Sequence, residues 1–131
     1  MIVRMRCFRS YLCSAKSRAS ASSNGWFTQG LEIRKSVLGA DFVEKSFASA
    51  DDFNRPYQEF VTEYCWGACW GREGLSKKTR SMLNLAMISA LNRPHELKMH
   101  VKGALNNGVT VEDIKAALLH ATALLRHSGR A

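Results

Sequence analysis

The chain has 131 residues, 46% hydrophobic and 23% charged, and its 19 Lys and Arg against 11 Asp and Glu leave a formal net charge of +8. That length supports one domain with its own core, often completed by oligomerisation in an all-helical unit, and no run approaches the ~18 apolar residues of a membrane-spanning helix. The charge sits at the ends: Arg4, Arg6, Arg9, Lys16 and Arg18 in residues 1–30 with no acid, Arg126 and Arg130 in the tail, and a nearly neutral body between them, which argues against nucleic acid or a membrane surface as partner.

Residues 1–27 read as a basic, disordered extension. They are rich in Arg and Ser and free of acid, a composition shared by disordered extensions, mistaken start sites and organellar transit peptides. Arg4, Arg6 and Arg9 interrupt any secretory h-region, so the expected location is cytoplasmic, or mitochondrial if the extension is a transit peptide. Beyond the polar stretch 20–25, Leu31, Ile33, Val37 and Leu38 predict a short helix ended by Gly39. Asp41 is placed to cap a second short helix carrying Phe42, Val43 and Phe47, and Asp51 and Asp52 interrupt the pattern again.

Pro56 falls near the first turn of a third helix, in which Tyr57, Phe60, Val61, Tyr64 and Cys65 form a stripe at i, i+3, i+4, i+7 and i+8. Gly67, Gly71 and Gly74 are expected to break it. Trp66 and Trp70 fit packing against the core or between subunits better than chemistry. Cys65 and Cys69 are spaced C-x3-C, which is neither the redox C-x-x-C nor a zinc pattern, and they read as buried thiols. Ser76 begins a fourth helix whose Met82, Leu83, Leu85, Ala86, Met87 and Ala90 are apolar nearly all round, predicting a central element.

A fifth helix starts at Pro94 and stops at Asn106-Asn107-Gly108. Thr110, followed by Glu112 and Asp113, caps the last helix, which continues through Ile114, Ala117, Leu118 and Ala121. No segment alternates as a strand does, so the fold class is all-α. Within the fifth helix Glu96 and His100 share one face at i and i+4, beside the apolar Leu97, Val101, Ala104 and Leu105. A His titrates near neutral pH and a neighbouring carboxylate orients it, which makes the pair a candidate acid–base couple. By spacing alone, a surface ion pair worth a few tenths of a kcal/mol is the stronger reading. His95 projects about 100° away around the helix. Arg80 and Arg93 offer planar forks suited to carboxylates, or serve structure.

Several blocks in order carry a resemblance: Asp51-Asp52-Phe53, Glu63-Tyr-Cys-Trp-Gly67, Gly74-Leu75, Lys78-Thr-Arg-Ser81, Asn84-Leu-Ala-Met87, and Ala90-Leu-Asn-Arg-Pro94 through Val109. Over residues 28–123 the chain resembles the carboxymuconolactone decarboxylase family. The resemblance implies a small helical bundle of the alkyl hydroperoxidase D-like type, assembled as a homo-oligomer, commonly a hexamer. It implies decarboxylation of 4-carboxymuconolactone to β-ketoadipate enol-lactone in protocatechuate breakdown, with no cofactor and no metal. The substrate, a lactone dicarboxylate, is then the small-molecule partner.

In that frame His100 is the proton donor or oxyanion partner and Glu96 the carboxylate that supports it. Arg80 and Arg93 are candidates for gripping substrate carboxylates, and Glu63 is a candidate for facing the pocket. Related hydroperoxidase-type members carry a redox cysteine pair in this helix and keep the His. Arg93 and Glu96 hold the matching places here, which weakens the alternative of a thiol–disulfide reductase on the same fold. The family pattern continues past position 123 with a segment like Tyr-Cys-Gly-Ile-Pro-Ala, where this chain has Leu124-Leu-Arg-His-Ser-Gly-Arg130-Ala131. One codon set for those residues, CTA CTG CGG CAT TCC GGC CGC, gives Tyr-Cys-Gly-Ile-Pro-Ala when read one base later. Residues 124–131 are therefore expected to be a frameshifted ending, which would make the chain an incomplete homologue, poorly assembled and of doubtful activity.

Overall fold

The computed structural model describes residues 23–128, which form six α-helices and one π-helical segment, with no strand among the described residues. The expectations for residues 1–22, including Cys7 and Cys13, and for positions 129–131 lie outside the described residues. Helix α1 spans Ser23–Leu38 and begins well before its apolar stripe. Gly39, at φ 96°, closes it in a conformation that suits glycine. Helix α2, Ala40–Ala48, follows directly, and Gly39 occupies its cap position. Asp41 is thus not the cap but a first-turn acid, where the helix dipole favours a negative charge. Asp51 Oδ1 accepts the backbone N–H groups of Phe53 (3.1 Å) and Asn54 (2.9 Å), turning the chain into α3, Arg55–Phe60, with Pro56 in its first turn.

The third helix does not break at Gly67. It widens into a π-helix, Val61–Trp70, whose bonds run over five residues instead of four. The wider turn changes which residues share a face. Thr62, Trp66, Gly67 and Trp70 are buried, whereas Tyr57, Phe60 and Tyr64 of the expected stripe stand exposed. Cys65 and Cys69 are likewise exposed free thiols, contrary to the sequence expectation, because the shifted period turns them away from the core.

Helix α1 packs most extensively on the π-helix. Trp26 and Gly30 meet Gly67 and Thr62, while Arg34 meets Thr62 and Gln58, so the two run in opposite directions. Two clusters build the core. Val37, Leu38, Val43, Trp66 and Trp70 join α1, α2 and the π-helix. Leu85, Ala104, Val109 and Ile114 join α4 (Lys77–Ala90), α5 (Pro94–Asn106) and α6 (Val111–Ser128). Helix α5 links the clusters, with Gly103 against Val37 and Asn106 Nδ2 donating to the Val37 carbonyl at 2.8 Å.

Ser76 caps α4 as its sequence predicts, its hydroxyl accepting the Thr79 N–H at 3.0 Å. The helix is not central, however. Leu85 is fully buried, but Leu83 and Met87 are 47% and 55% exposed, and among the described residues α4 packs chiefly against α5 and α6. Leu85→Ala is expected to cost ~2–5 kcal/mol by leaving a cavity, measurable as a lower urea midpoint at unchanged slope.

Thr110 and Asp113 cap α6 reciprocally: Thr110 Oγ1 accepts the Asp113 N–H and Asp113 Oδ2 accepts the Thr110 N–H, each at 3.1 Å. Lys78 Nζ, 2.8 Å from Asp113 Oδ2, ties the start of α4 to the start of α6. The hydrogen bond from Lys78, followed by those from Thr110, lowers the Asp113 pKa to about 2. A carboxylate with a depressed folded pKa contributes stability above its unfolded pKa and loses it as pH falls through the folded value. Asp113→Asn is therefore expected to flatten the stability profile between the ordinary aspartate range and about pH 2, as read by denaturant titration at stepped pH. Helix α6 runs on through Leu124 and Leu125 to Ser128. No helix among the described residues is long and apolar enough to cross a membrane.

Candidate functional site

The turn before α5 sets the candidate pair in place. Asn92 adopts φ 51°, a left-handed conformation that asparagine tolerates better than most residues. Arg93, constrained by the proline after it, donates its N–H to the Ile88 carbonyl at 3.2 Å. Pro94 then opens the helix, which puts Glu96 in its first turn and His100 one turn later. Both side chains are half-buried, while His95 is exposed as its angular position implies. No hydrogen bond or ion pair among the described residues engages the side chain of Glu96 or His100.

A wall of the site comes from the π-helix. The His100 imidazole lies parallel to the Trp66 indole, 2° between planes and 6.4 Å between centroids. Trp66 is 5% exposed and packs on Trp70 at 4.8 Å, so the surface that orients the imidazole is itself fixed in the core. Burial pushes the His100 pKa below the ordinary imidazole value, and the negative charge of Glu96 pulls it back up. At neutral pH this favours the neutral imidazole, which can donate from one ring nitrogen and accept at the other.

The other expected site residues lie on the π-helix, on α4 and at the start of α5. Glu63 is half-buried on the π-helix, three residues before Trp66. Arg80 is half-buried and donates from Nη2 to the Arg72 carbonyl at 2.6 Å, which commits it to the loop after the π-helix. Arg93 is exposed at the N-cap of α5 and makes no capping bond. Among the described residues no hydrogen bond or ion pair joins Glu63, Arg80 or Arg93 to Glu96 or His100.

Two features went unread in the sequence. Trp66, which its sequence context assigns to packing, also forms the wall against His100. Arg34 is 6% exposed, with Nη1 donating to Thr62 Oγ1 at 2.9 Å, Nη2 to Gln58 Oε1 at 2.7 Å, and its cation 5.6 Å from the Phe47 ring centre. The signal was present: Leu31, Arg34 and Leu38 fall at i, i+3 and i+7, which puts a cation on the apolar stripe of α1. A separate pocket of about 260 Å³ between α1 and α2 is lined by Phe27, Leu31, Lys35, Val43, Glu44 and Phe47 and includes none of the expected site residues. Among the described residues no three His, Cys, Asp or Glu side chains group so as to hold a metal ion.

The model of the carboxymuconolactone decarboxylase family matches residues 55–126, which include Trp66, Glu96 and His100. The chain is 43% identical over 94 residues to a 4-carboxymuconolactone decarboxylase of Acinetobacter baylyi, an alignment covering 72% of this chain and 70% of that one. It is 46% identical over 95 residues to a nitrosuccinic acid decarboxylase of Metarhizium robertsii, covering 72% of this chain and 66%, just under two thirds, of the relative. Together with the all-helical fold, the extent of these matches means that the chain belongs to the carboxymuconolactone decarboxylase family of enzymes.

Proposed function

We propose that this protein is a carboxy-lyase that converts 4-carboxymuconolactone to β-ketoadipate enol-lactone without a cofactor, in the breakdown of protocatechuate. The observation that carries the reading is the uncommitted, half-buried Glu96 and His100 pair set against Trp66, inside the span that matches the family. The leaving carboxylate of this substrate sits on a ring carbon conjugated through the double bond to the lactone carbonyl. When the carbon–carbon bond breaks, its electron pair moves onto the carbonyl oxygen as a dienolate, and carbon dioxide leaves. The enzyme has to stabilise that oxyanion and return one proton to carbon.

His100 is suited to both tasks. Neutral before substrate binds, it gains proton affinity when a dianionic substrate arrives beside it and takes a proton from solvent, and Glu96 stabilises the imidazolium so formed. The imidazolium then donates to the dienolate. The second relative supports the same logic, because nitrosuccinic acid, the compound in its name, carries a carboxylate beside a nitro-bearing carbon. Loss of that carboxylate would leave a nitronate, another substrate-borne electron sink. In this reading Arg80, Arg93 and Glu63 serve the substrate from the rim of the site, which requires Arg80 to release the Arg72 carbonyl.

The redox alternative has less support. Cys65 and Cys69 lie outside α5, and partial desolvation of the otherwise exposed Cys65 side chain, followed by the neighbouring Cys69, pushes its thiol up, away from the thiolate that such chemistry needs. The homo-oligomer is part of the proposal: Phe53, Tyr57, Phe60 and Tyr64 are exposed, the last two with rings 4.8 Å apart, and such aromatic surface is suited to burial against other copies. The test is carbon dioxide release from 4-carboxymuconolactone and from nitrosuccinic acid, measured in parallel with chelator and no added cofactor. Release from the lactone is expected. Release from nitrosuccinic acid alone would move the assignment to that substrate, and release from neither by a folded chain would remove it.

A further inference from the structure

Arg34 is a buried cation whose bonding partners are neutral. Its side chain is held by the Thr62 hydroxyl and the Gln58 amide oxygen and lies over the Phe47 ring, and its Nε–H is buried with no acceptor among the described residues. The nearest ion pair on α1 does not help it, since Lys35 takes Glu44 at 2.8 Å. A desolvated charge without a counter-charge is costly, and two neutral acceptors and an aromatic face do not neutralise it. The arrangement is also rigid. Thr62 Oγ1, which accepts from Arg34, donates its own proton to the Gln58 carbonyl at 2.7 Å.

The position matters as much as the charge. Arg34 is anchored on Thr62, and His100 stacks on Trp66, the next buried residue along the same face of the π-helix. The unpaired cation and the candidate proton donor therefore flank one turn of a single element. We propose that Arg34 binds a carboxylate of the substrate, its Nε–H and one Nη–H engaging the two oxygens side-on. This rests on the decarboxylase reading and adds to it which carboxylate is held.

The group that leaves loses its charge on the way to carbon dioxide. A buried cation on it would stabilise the reactant more than the transition state and slow the reaction. A cation on the carboxylate that is retained binds reactant and transition state alike. Arg34 therefore takes the retained group, and the site selects small dicarboxylates, of which one carboxylate is held and the other is lost. Uniform binding of this kind appears in KM and not in kcat.

The experiment compares wild type with Arg34→Met and Arg34→Lys by steady-state kinetics, thermal unfolding with and without succinate, and light scattering. Expected for Arg34→Met are a KM raised at least tenfold, a kcat within threefold of wild type, and an unfolding midpoint equal or higher, because an unpaired buried cation has been removed. Succinate is expected to raise the midpoint of wild type and not of Arg34→Met. An unchanged KM with an unchanged succinate shift overturns the inference, as does loss of assembly at unchanged KM, which would assign the cation to a neighbouring copy. If Arg34→Met does not fold, Arg34→Lys decides: it keeps the charge but loses the side-on fork, so a raised KM supports the inference and an unchanged one overturns it. Should wild type release no carbon dioxide, the decarboxylase reading fails separately, and the succinate shift still tests the anion site.

Discussion

His100→Ala is expected to lower kcat for decarboxylation by roughly 10²–10⁴-fold, the range for loss of a positioned general acid, while the chain stays folded. The two halves of that expectation have different causes. Activity falls because the imidazole is the titratable group set against the fixed Trp66 wall, and an alanine offers neither donor nor proton. Stability holds because the ring is half-buried and, among the described residues, joins no hydrogen-bond network that its removal would orphan. Glu96→Gln has a smaller effect with a distinct sign. Glu96 raises the His100 pKa against the effect of burial, so its neutralisation moves that pKa further down. Because the reacting complex carries imidazolium, kcat/KM falls as pH rises past the pKa of His100 in the free enzyme, and Glu96→Gln shifts the fall to lower pH. An NMR titration of the His100 ring in both proteins checks the direction, and an equal or higher value in Glu96→Gln contradicts it.

Gly30→Val and Gly67→Val are expected to be the most damaging substitutions to the fold, each costing at least ~3 kcal/mol, at or beyond the usual range for overpacking. A Cβ on Gly30 would fall on the Thr62 carbonyl, and one on Gly67 would fall on the Trp26 carbonyl. Both obstacles are backbone, so no side-chain rotation relieves them. The helices would have to separate, opening the contacts that bury Thr62 and Trp66 and hold Arg34. Against a typical total stability of ~5–15 kcal/mol, that loss is expected to leave a large unfolded fraction. Gly25→Val is the control, because nothing stands within 4 Å of a Cβ there. Urea unfolding followed by circular dichroism separates the three, and a Gly67→Val midpoint equal to that of Gly25→Val would contradict the expectation.

The helix boundaries that depend on local chemistry were legible in the sequence. Gly39, Ser76, Pro94, Gly108 and Thr110 each act through their own backbone or side chain, and each stands where the pattern put it. What could not be read was the change of period after Phe60. Tyr57, Phe60 and Tyr64 look like a core stripe at 3.6 residues per turn, but the π-helix gives the core to Thr62, Trp66 and Trp70 instead, and Cys65 and Cys69 turn outward with it. The widened segment is also where α1 approaches closely at Gly30 and Gly67, a tertiary contact that no window of sequence contains. The apolar surface of α4 misled for a related reason, since apolarity all round marks a helix for burial without saying whether its own chain supplies the cover. Glu96 and His100 were legible as a pair because i, i+4 spacing is local. Trp66 as their wall, and Arg34 as a cation with no acid bonded to it among the described residues, belong to the packing of distant segments.

The most direct measurement uses 4-carboxymuconolactone labelled with ¹³C in the carboxylate on the ring carbon, incubated with wild type and with His100→Ala, while labelled carbon dioxide and bicarbonate are followed by NMR. Rapid appearance of label with wild type, without added cofactor, and release slowed at least 100-fold by a folded His100→Ala are the predicted result. Release at equal rates from the two proteins, or none above the uncatalysed background from folded wild type, would contradict it.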